Sequence, residues 1–329
     1  MVLDTPEALT NTLHIITVFA TPLHIFGIYC IVWETPKNMG TAKWYMFNLH
    51  ASCILLDWGF TVLSVPLLIF PAMGGYPLGI LTNWFGVSTL FQVHLIMALV
   101  FVVCTSIALI FENRYYQLYA KGTRWKHFRI VFIFLNYFFT FAYNIPAVLN
   151  VPDQKMALEF TYKQIPNLPE DIKSGPIFIL AIDYWVQIPF NFMAALTAGG
   201  SFTFITLLSI NMNSTTGRNN LSENTKRLQR KFLKAIYSQV TVFAMNVLCP
   251  MPYVVISILT NYYNQMGNNL VFIIGAFHGI NSTLIMLWAH KPYREVCYNL
   301  AKRAREKLKM ANAVVRNNHQ PTVSTTVLV

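Results

Sequence analysis

Acidic side chains are scarce in this sequence, 13 among 329 residues, and residues of either charge make up only 11% of it. Soluble domains carry roughly a quarter, so a chain with 55% hydrophobic residues and a mean hydropathy of +0.45 is excluded from that class. Cysteine is sparse too. Cys30, Cys53, Cys104, Cys249 and Cys297 fall within apolar runs or just past the last one, which leaves no disulfide framework. Also lacking are a Gly-rich phosphate loop, a nucleophile with a partner base and a cluster of metal ligands on one face. Their absence argues against an enzyme, and neither a metal nor a cofactor is expected.

What the sequence has is long apolar runs. Seven of them, 12–32, 44–70, 86–111, 130–149, 186–210, 235–259 and 270–290, reach the length of about 20 residues that a ~30 Å hydrocarbon core requires. Inside a bilayer the backbone can satisfy its polar groups only within helices. The first run follows Asp4 and Glu7 rather than a basic stretch, so it reads as a permanent helix and not as a cleaved leader. The expected fold is an all-α membrane protein: a seven-transmembrane bundle over residues 1–291, then a tail from 292 to 329.

The net charge of +11 raises the question of a nucleic-acid partner, and its distribution answers it. Lys and Arg number 2, 5, 6 and 8 in segments 33–43, 112–129, 211–234 and beyond 290, against 0, 0, 3 and 0 in the alternate segments. Basic residues gather on the cytoplasmic side of membrane proteins. The amino terminus is therefore placed outside and the carboxyl terminus inside, with an anionic inner leaflet as the partner of the charge. The sequons at Asn213, Asn220 and Asn281 then lie in inner or intramembrane positions and should stay unglycosylated.

Two segments flank the bundle on its inner side. In "LSENTKRLQRKFLKAIY" Ser222 is placed to cap a helix extending the sixth span into the cytoplasm. In residues 292–310, Tyr293, Val296, Cys297, Leu300, Ala304 and Leu308 share one helical face, and Lys302, Arg303, Arg305, Lys307 and Lys309 cover the rest. That pattern predicts a basic amphipathic helix lying on the inner leaflet, or else a solvated charged tail. Cys297 is a candidate for palmitoylation or an unmodified buried thiol.

Several polar residues stand out against the apolar background. Glu112, Asn113 and Arg114 close the third span. An arginine there either snorkels to lipid phosphate or is held by a neighbouring carboxylate until the sixth span swings away. Asp57 in "CILLDWGF" lies near mid-membrane, where a carboxyl must be protonated or paired. It either binds a cation or bonds polar groups such as Asn281 and Ser282 of the seventh span. His94, Tyr253 and His278 sit at similar depth below the outer surface, as lining of a ligand pocket or as interhelical hydrogen-bonding groups. Asp183 and Trp185 stand at the rim. Pro250 and Pro252 remove helical donors from the sixth span and predict a kink that offers a hinge.

The segments "TPLHIFGIYCIVWETPKNMGTAKWYMFNLH" (21–50), "FENRYY" (111–116) and "GAFHGINSTLIMLWAHKPYREV" (275–296) resemble the nematode serpentine chemoreceptors, class H (Srh) of the Str superfamily of G-protein-coupled receptors. The resemblance runs through essentially the whole chain. It implies a plasma-membrane receptor in the cilia of sensory neurons that detects a small external chemical and signals to a heterotrimeric G protein through the Glu112–Arg114 end. The chain lacks the "NPxxY" of rhodopsin-like receptors and has "CPMPY" (249–253) where they have "CWxP", so their switch residues do not transfer by position. A retinal photoreceptor is excluded because the seventh span holds no lysine before Lys291 to form a Schiff base. The alternative is a seven-span ligand-gated channel or small-solute transporter. It needs polar residues along one continuous path, which Asp57 and Asp183 alone do not make.

Overall fold

The computed structural model describes residues 3–36, 39–213 and 223–318. Among them, helices long and apolar enough to cross a bilayer run Pro6–Trp33, Ala42–Leu63, Thr89–Ala120, Trp125–Leu149, Tyr184–Met212, Arg227–Thr260 and Gln265–Ala289. Local chemistry starts several of them. Thr5 caps the first, its hydroxyl accepting from the Ala8 amide at 3.2 Å with Pro6 in the first turn, and Asn264 caps the seventh through the Gly267 amide. Both use a side-chain oxygen to satisfy an amide that the helix leaves free.

The third span is the central helix: 61% of its apolar stretch is buried, against 22%, 22% and 17% for the fourth, fifth and sixth. It packs on the second and fifth spans, while the seventh packs on the first, second and sixth. The outward faces of the fourth to sixth spans carry Phe128, Ile130, Phe134, Ile188, Phe202 and Val255 in exposed positions, an apolar surface suited to lipid.

The second span stops short of the expected residue 70. Its helix ends in a π turn over Gly59–Leu63, Val65 takes a φ of 47°, and Pro66 opens a strand. Proline offers no amide to continue the ladder and bars the preceding residue from helical geometry. The apolar residues Leu67 and Ile69 are instead buried in the outer core. This strand, β1 (Pro66–Leu68), pairs antiparallel with β2 (Met73–Pro77), which pairs antiparallel with β3 (Phe178–Ala181). The small sheet caps the outer end of the bundle. It shares its core with Leu9, Leu13 and Ile16 of the first span and with Ile273 and Ala276 of the seventh.

Side-chain amides tie the cap down. Gln154, in helix Gln154–Gln164, exchanges two bonds with the backbone of Ile179, at 3.0 and 2.9 Å. At the head of the seventh span, Gln265 donates to the Leu68 carbonyl, Asn268 to that of Phe70 and Asn269 to that of Leu3.

At the inner end the third span continues beyond residue 111 to Ala120, and a long helix, Lys291–Asn318, follows the seventh span. Tyr293 anchors that helix, fully buried, with its hydroxyl 2.6 Å from Thr35 at the end of the first span. Val296 and Cys297 pack on the inner core, whereas Leu300 and Leu308 are exposed. The helix extending the sixth span inward is described from Glu223, and Ser222 and Asn220 lie outside the described residues.

Candidate functional site

The fourth span brings Trp125 and Arg129, four residues apart and hence on one helical face, against the end of the third. There Glu112 is fully buried and accepts from Trp125 Nε1 at 2.8 Å and from Arg129 Nε at 2.8 and 3.0 Å. Arg129 also donates to Asn113 Oδ1 at 3.0 Å and to the Tyr45 hydroxyl at 2.6 Å. The carboxylate expected to hold Arg114 thus belongs to Arg129. A desolvated carboxylate needs such a full set of donors.

Arg114, two residues beyond Glu112, is also buried, with 7% exposed. Its guanidinium carbon lies 3.6 Å from the ring centre of Phe232 on the sixth span, and its Nε has no partner. Phe232 in turn meets the His290 ring at 5.6 Å, and His290 meets Tyr293 at 5.4 Å. The inner ends of the third, sixth and seventh spans and the carboxyl-terminal helix therefore converge around one cation lying over the Phe232 ring, an attraction that strengthens when water is excluded.

Mid-membrane, Asp57 finds partners other than Asn281 and Ser282. Its Oδ2 lies 2.7 Å from His24 Nε2 of the first span and its Oδ1 3.1 Å from His278 Nδ1 of the seventh. All three residues are 1% exposed. Asn281 instead faces the sixth span, its amide 3.3 Å from Asn246 Oδ1, and the Ser282 carbonyl accepts from Gln239 at 3.4 Å. Gly279 makes room for this arrangement, since a Cβ there would overlap the Asp57 carboxylate.

The five residues expected around a ligand pocket are scattered. Tyr253 is tied to the head of the seventh span, its hydroxyl 2.8 Å from both the Asn264 carbonyl and Asn268 Oδ1. His278 is enclosed by Asp57, Phe60 and Phe243. His94 is half-buried on the third span, and Asp183 and Trp185 are exposed at the outer start of the fifth. Two ring nitrogens in this set, His94 Nδ1 and His278 Nε2, are buried without a partner. An outer cavity of about 10 Å³ lies instead within the cap itself, between Met73, Phe160, Gln164 and Tyr184.

The sixth span breaks at Cys249 and Pro250, the helix ending at Leu248 and resuming at Met251. Cys297 is half-buried against the inner core, and burial pushes its thiol up.

Sequence reasoning passed over Arg129, which looked like one more basic residue at the interface, and over His24 and Phe232. A histidine inside an apolar run is the signal that would have marked His24. Nothing local marks Phe232.

The chain matches the family described as "Serpentine type 7TM GPCR chemoreceptor Srh" over residues 4–303. It is 24% identical over 308 residues to "Serpentine receptor class H-72" of Caenorhabditis elegans, a match covering 92% of this chain and 88% of the relative. Its fold is similar to that of squid rhodopsin, with a TM-score of 0.55 and 13% identity over 88% of this chain and 83% of that one. At that identity the likeness is one of fold.

Proposed function

The chain belongs to the serpentine type 7TM GPCR chemoreceptor Srh family, and from that premise we propose that it binds a small external chemical and signals through a heterotrimeric G protein. It is a multi-pass membrane protein, and its proposed site of action is the plasma membrane of sensory cilia. The observation that carries the signalling half is the Arg114–Phe232 contact at 3.6 Å. It joins the third span to the sixth at the inner face, and the break at Cys249 and Pro250 supplies a hinge above it. Swinging the inner part of the sixth span outward uncovers Arg114 for a G-protein segment. A ligand drives that change only by binding the open bundle better than the closed one. His94 Nδ1 and His278 Nε2, both buried without partners, are the proposed polar anchors for it, with Asp183 and Trp185 at the entrance. The basic inner segments and the carboxyl-terminal helix face the anionic leaflet.

The test is a small-molecule screen on cells expressing the full chain, read by second messenger and by membrane current together. A second-messenger response that disappears when the G protein is inactivated is expected. A ligand-evoked current or solute uptake that persists without any G protein would establish the channel or transporter alternative instead.

A further inference from the structure

The polar cluster at mid-membrane contains more hydrogen-bonding nitrogens than one carboxylate explains, and its short contacts limit where its protons can sit. The Thr283 hydroxyl lies 2.8 Å from the Gly279 carbonyl, which can only accept, so the single hydroxyl proton goes there. Its oxygen is then free to accept from His24 Nδ1, 3.0 Å away. His24 Nε2 lies 2.7 Å from Asp57 Oδ2, and the hydrogen between them can sit on either atom. A neutral pair needs one proton beyond a carboxylate and a neutral ring, carried as imidazolium against carboxylate or as imidazole against carboxylic acid.

Each of the other two rings has one nitrogen facing an acceptor. His278 Nδ1 stands 2.9 Å from the Gly275 carbonyl and 3.1 Å from Asp57 Oδ1, both acceptors, while its Nε2 meets nothing. His50 Nε2 donates to the His24 carbonyl at 3.2 Å. The remaining titratable neighbours are thiols, Cys53 beside Asp57 and Cys104 behind it, while the sixth span contributes Gln239 and Phe243, which do not titrate. The cluster's net charge is thus zero only while the His24–Asp57 pair keeps that one proton, and an uncompensated charge at this depth is strongly disfavoured.

We propose that the proton rests on His24, as an imidazolium against the Asp57 carboxylate, and that the pair, read out by Thr283, forms a binding site for one exchangeable proton whose occupancy holds the first, second and seventh spans together in the closed bundle. Releasing it moves one proton from His24 Nδ1 to water. The Thr283 hydroxyl then rotates to donate to the bare Nδ1 and frees the Gly279 carbonyl. There is room for water beside His50, whose ring lies 5.8 Å from that of His24. A cavity of about 10 Å³ bounded by His50, Gln239, Ser282 and Met286 has room for about one molecule. Phe243 of the sixth span covers His278 at a ring distance of 5.8 Å. Proton exchange accordingly follows movement of the sixth span, which links this site to the receptor reading above.

The test uses the full chain with ¹⁵N-labelled histidine in lipid nanodiscs, examined by solid-state NMR at a pH of about 8.5, where exposed histidines are neutral. The chain has 8 histidines. One doubly protonated imidazole signal is expected, absent in His24→Gln, absent in Thr283→Val and retained in Thr283→Ser. Raising the pH until that signal vanishes should lower the thermal unfolding midpoint of the wild type but not that of the His24→Gln/Asp57→Asn double variant. If the histidine variants do not fold, the two Thr283 variants decide. A wild type without the signal, a signal that survives His24→Gln, or an infrared band of a protonated Asp57 carboxyl would overturn the proposal. None of these readouts uses ligand or G protein, so their failure leaves the receptor reading standing, and failure of that reading leaves the proton site standing.

Discussion

Arg129 reaches both carboxylate oxygens of Glu112 with one nitrogen, at 2.8 and 3.0 Å. The acid that precedes Arg114 by two residues is thereby committed to the fourth span, where it pins that span to the third. Toward the sixth span Arg114 itself meets the ring of Phe232 instead. These two contacts differ in kind. A buried ion pair with its donors complete resists separation, whereas a stacked guanidinium releases its ring without stranding a carboxylate.

The asymmetry of burial in that pair makes the first prediction. Arg129→Gln leaves Glu112, fully buried, without its counter-charge, and should cost about 3–5 kcal/mol. Glu112→Gln leaves Arg129, whose side chain is 16% exposed, able to turn toward lipid phosphate, and should cost less. Surface expression and thermal unfolding of both variants and of the double variant check this, with the double variant expected to recover part of the Arg129→Gln loss. Equal losses from the two single variants would sink it.

Removing the ring tests the inner latch. Phe232→Leu keeps the apolar volume but discards a cation–π contact worth about 1–2 kcal/mol when desolvated, and should raise ligand-independent second-messenger output roughly 5- to 30-fold at matched surface expression. Arg114→Lys is expected to reach the surface normally and lose most of the signal, because an ammonium cannot reproduce the planar fork. Arg124→Lys, in the inner turn beyond the helix, should signal as the wild type does. The comparison fails if Arg114→Lys and Arg124→Lys signal alike.

Glycine at two neighbouring positions gives a matched pair. Gly279→Ala drives a Cβ into the Asp57 carboxylate, while at Gly275 the nearest atom, on Phe60, would be 4.0 Å away. Overpacking of the first kind costs about 1–3 kcal/mol, so Gly279→Ala should lower the unfolding midpoint markedly and Gly275→Ala should leave it unchanged or higher. A reversed order would mean that Asp57 does not sit against the seventh helix.

The carboxyl-terminal helix is exposed on all sides from residue 298 to 312. A peptide of residues 292–310 with Lys302, Arg303, Arg305 and Lys307 changed to Gln should partition into anionic vesicles more weakly, by about 1 kcal/mol for each charge removed. Vesicle sedimentation measures it, and unchanged partitioning would leave a solvated tail.

The membrane character and the seven helices were legible because length and apolarity alone decide them. The cap was not. In "VPLLIFPAMGGYP" (65–77) an apolar run joined to a transmembrane helix looks the same whether lipid or a sheet covers it, and only Pro66 and Pro71 hinted at a strand. Glu112 and Asp57 announced themselves as acids in apolar surroundings, but their partners come from other spans. Arg129, His24 and Phe232 are supplied by helix packing, and a single sequence carries no record of which helix faces which.

The amides of Gln265, Asn268 and Asn269 grip the cap and the amino terminus. His278 and Thr283, on the same helix, grip Asp57 and His24. Nine residues separate Asn269 from His278, about 14 Å of helix at 1.5 Å each. The seventh span is therefore one continuous helix whose outer end sits in the cap and whose middle sits in the polar centre of the bundle. Any displacement of the cap has an unbroken hydrogen-bonded rod through which to reach the contacts of Asp57.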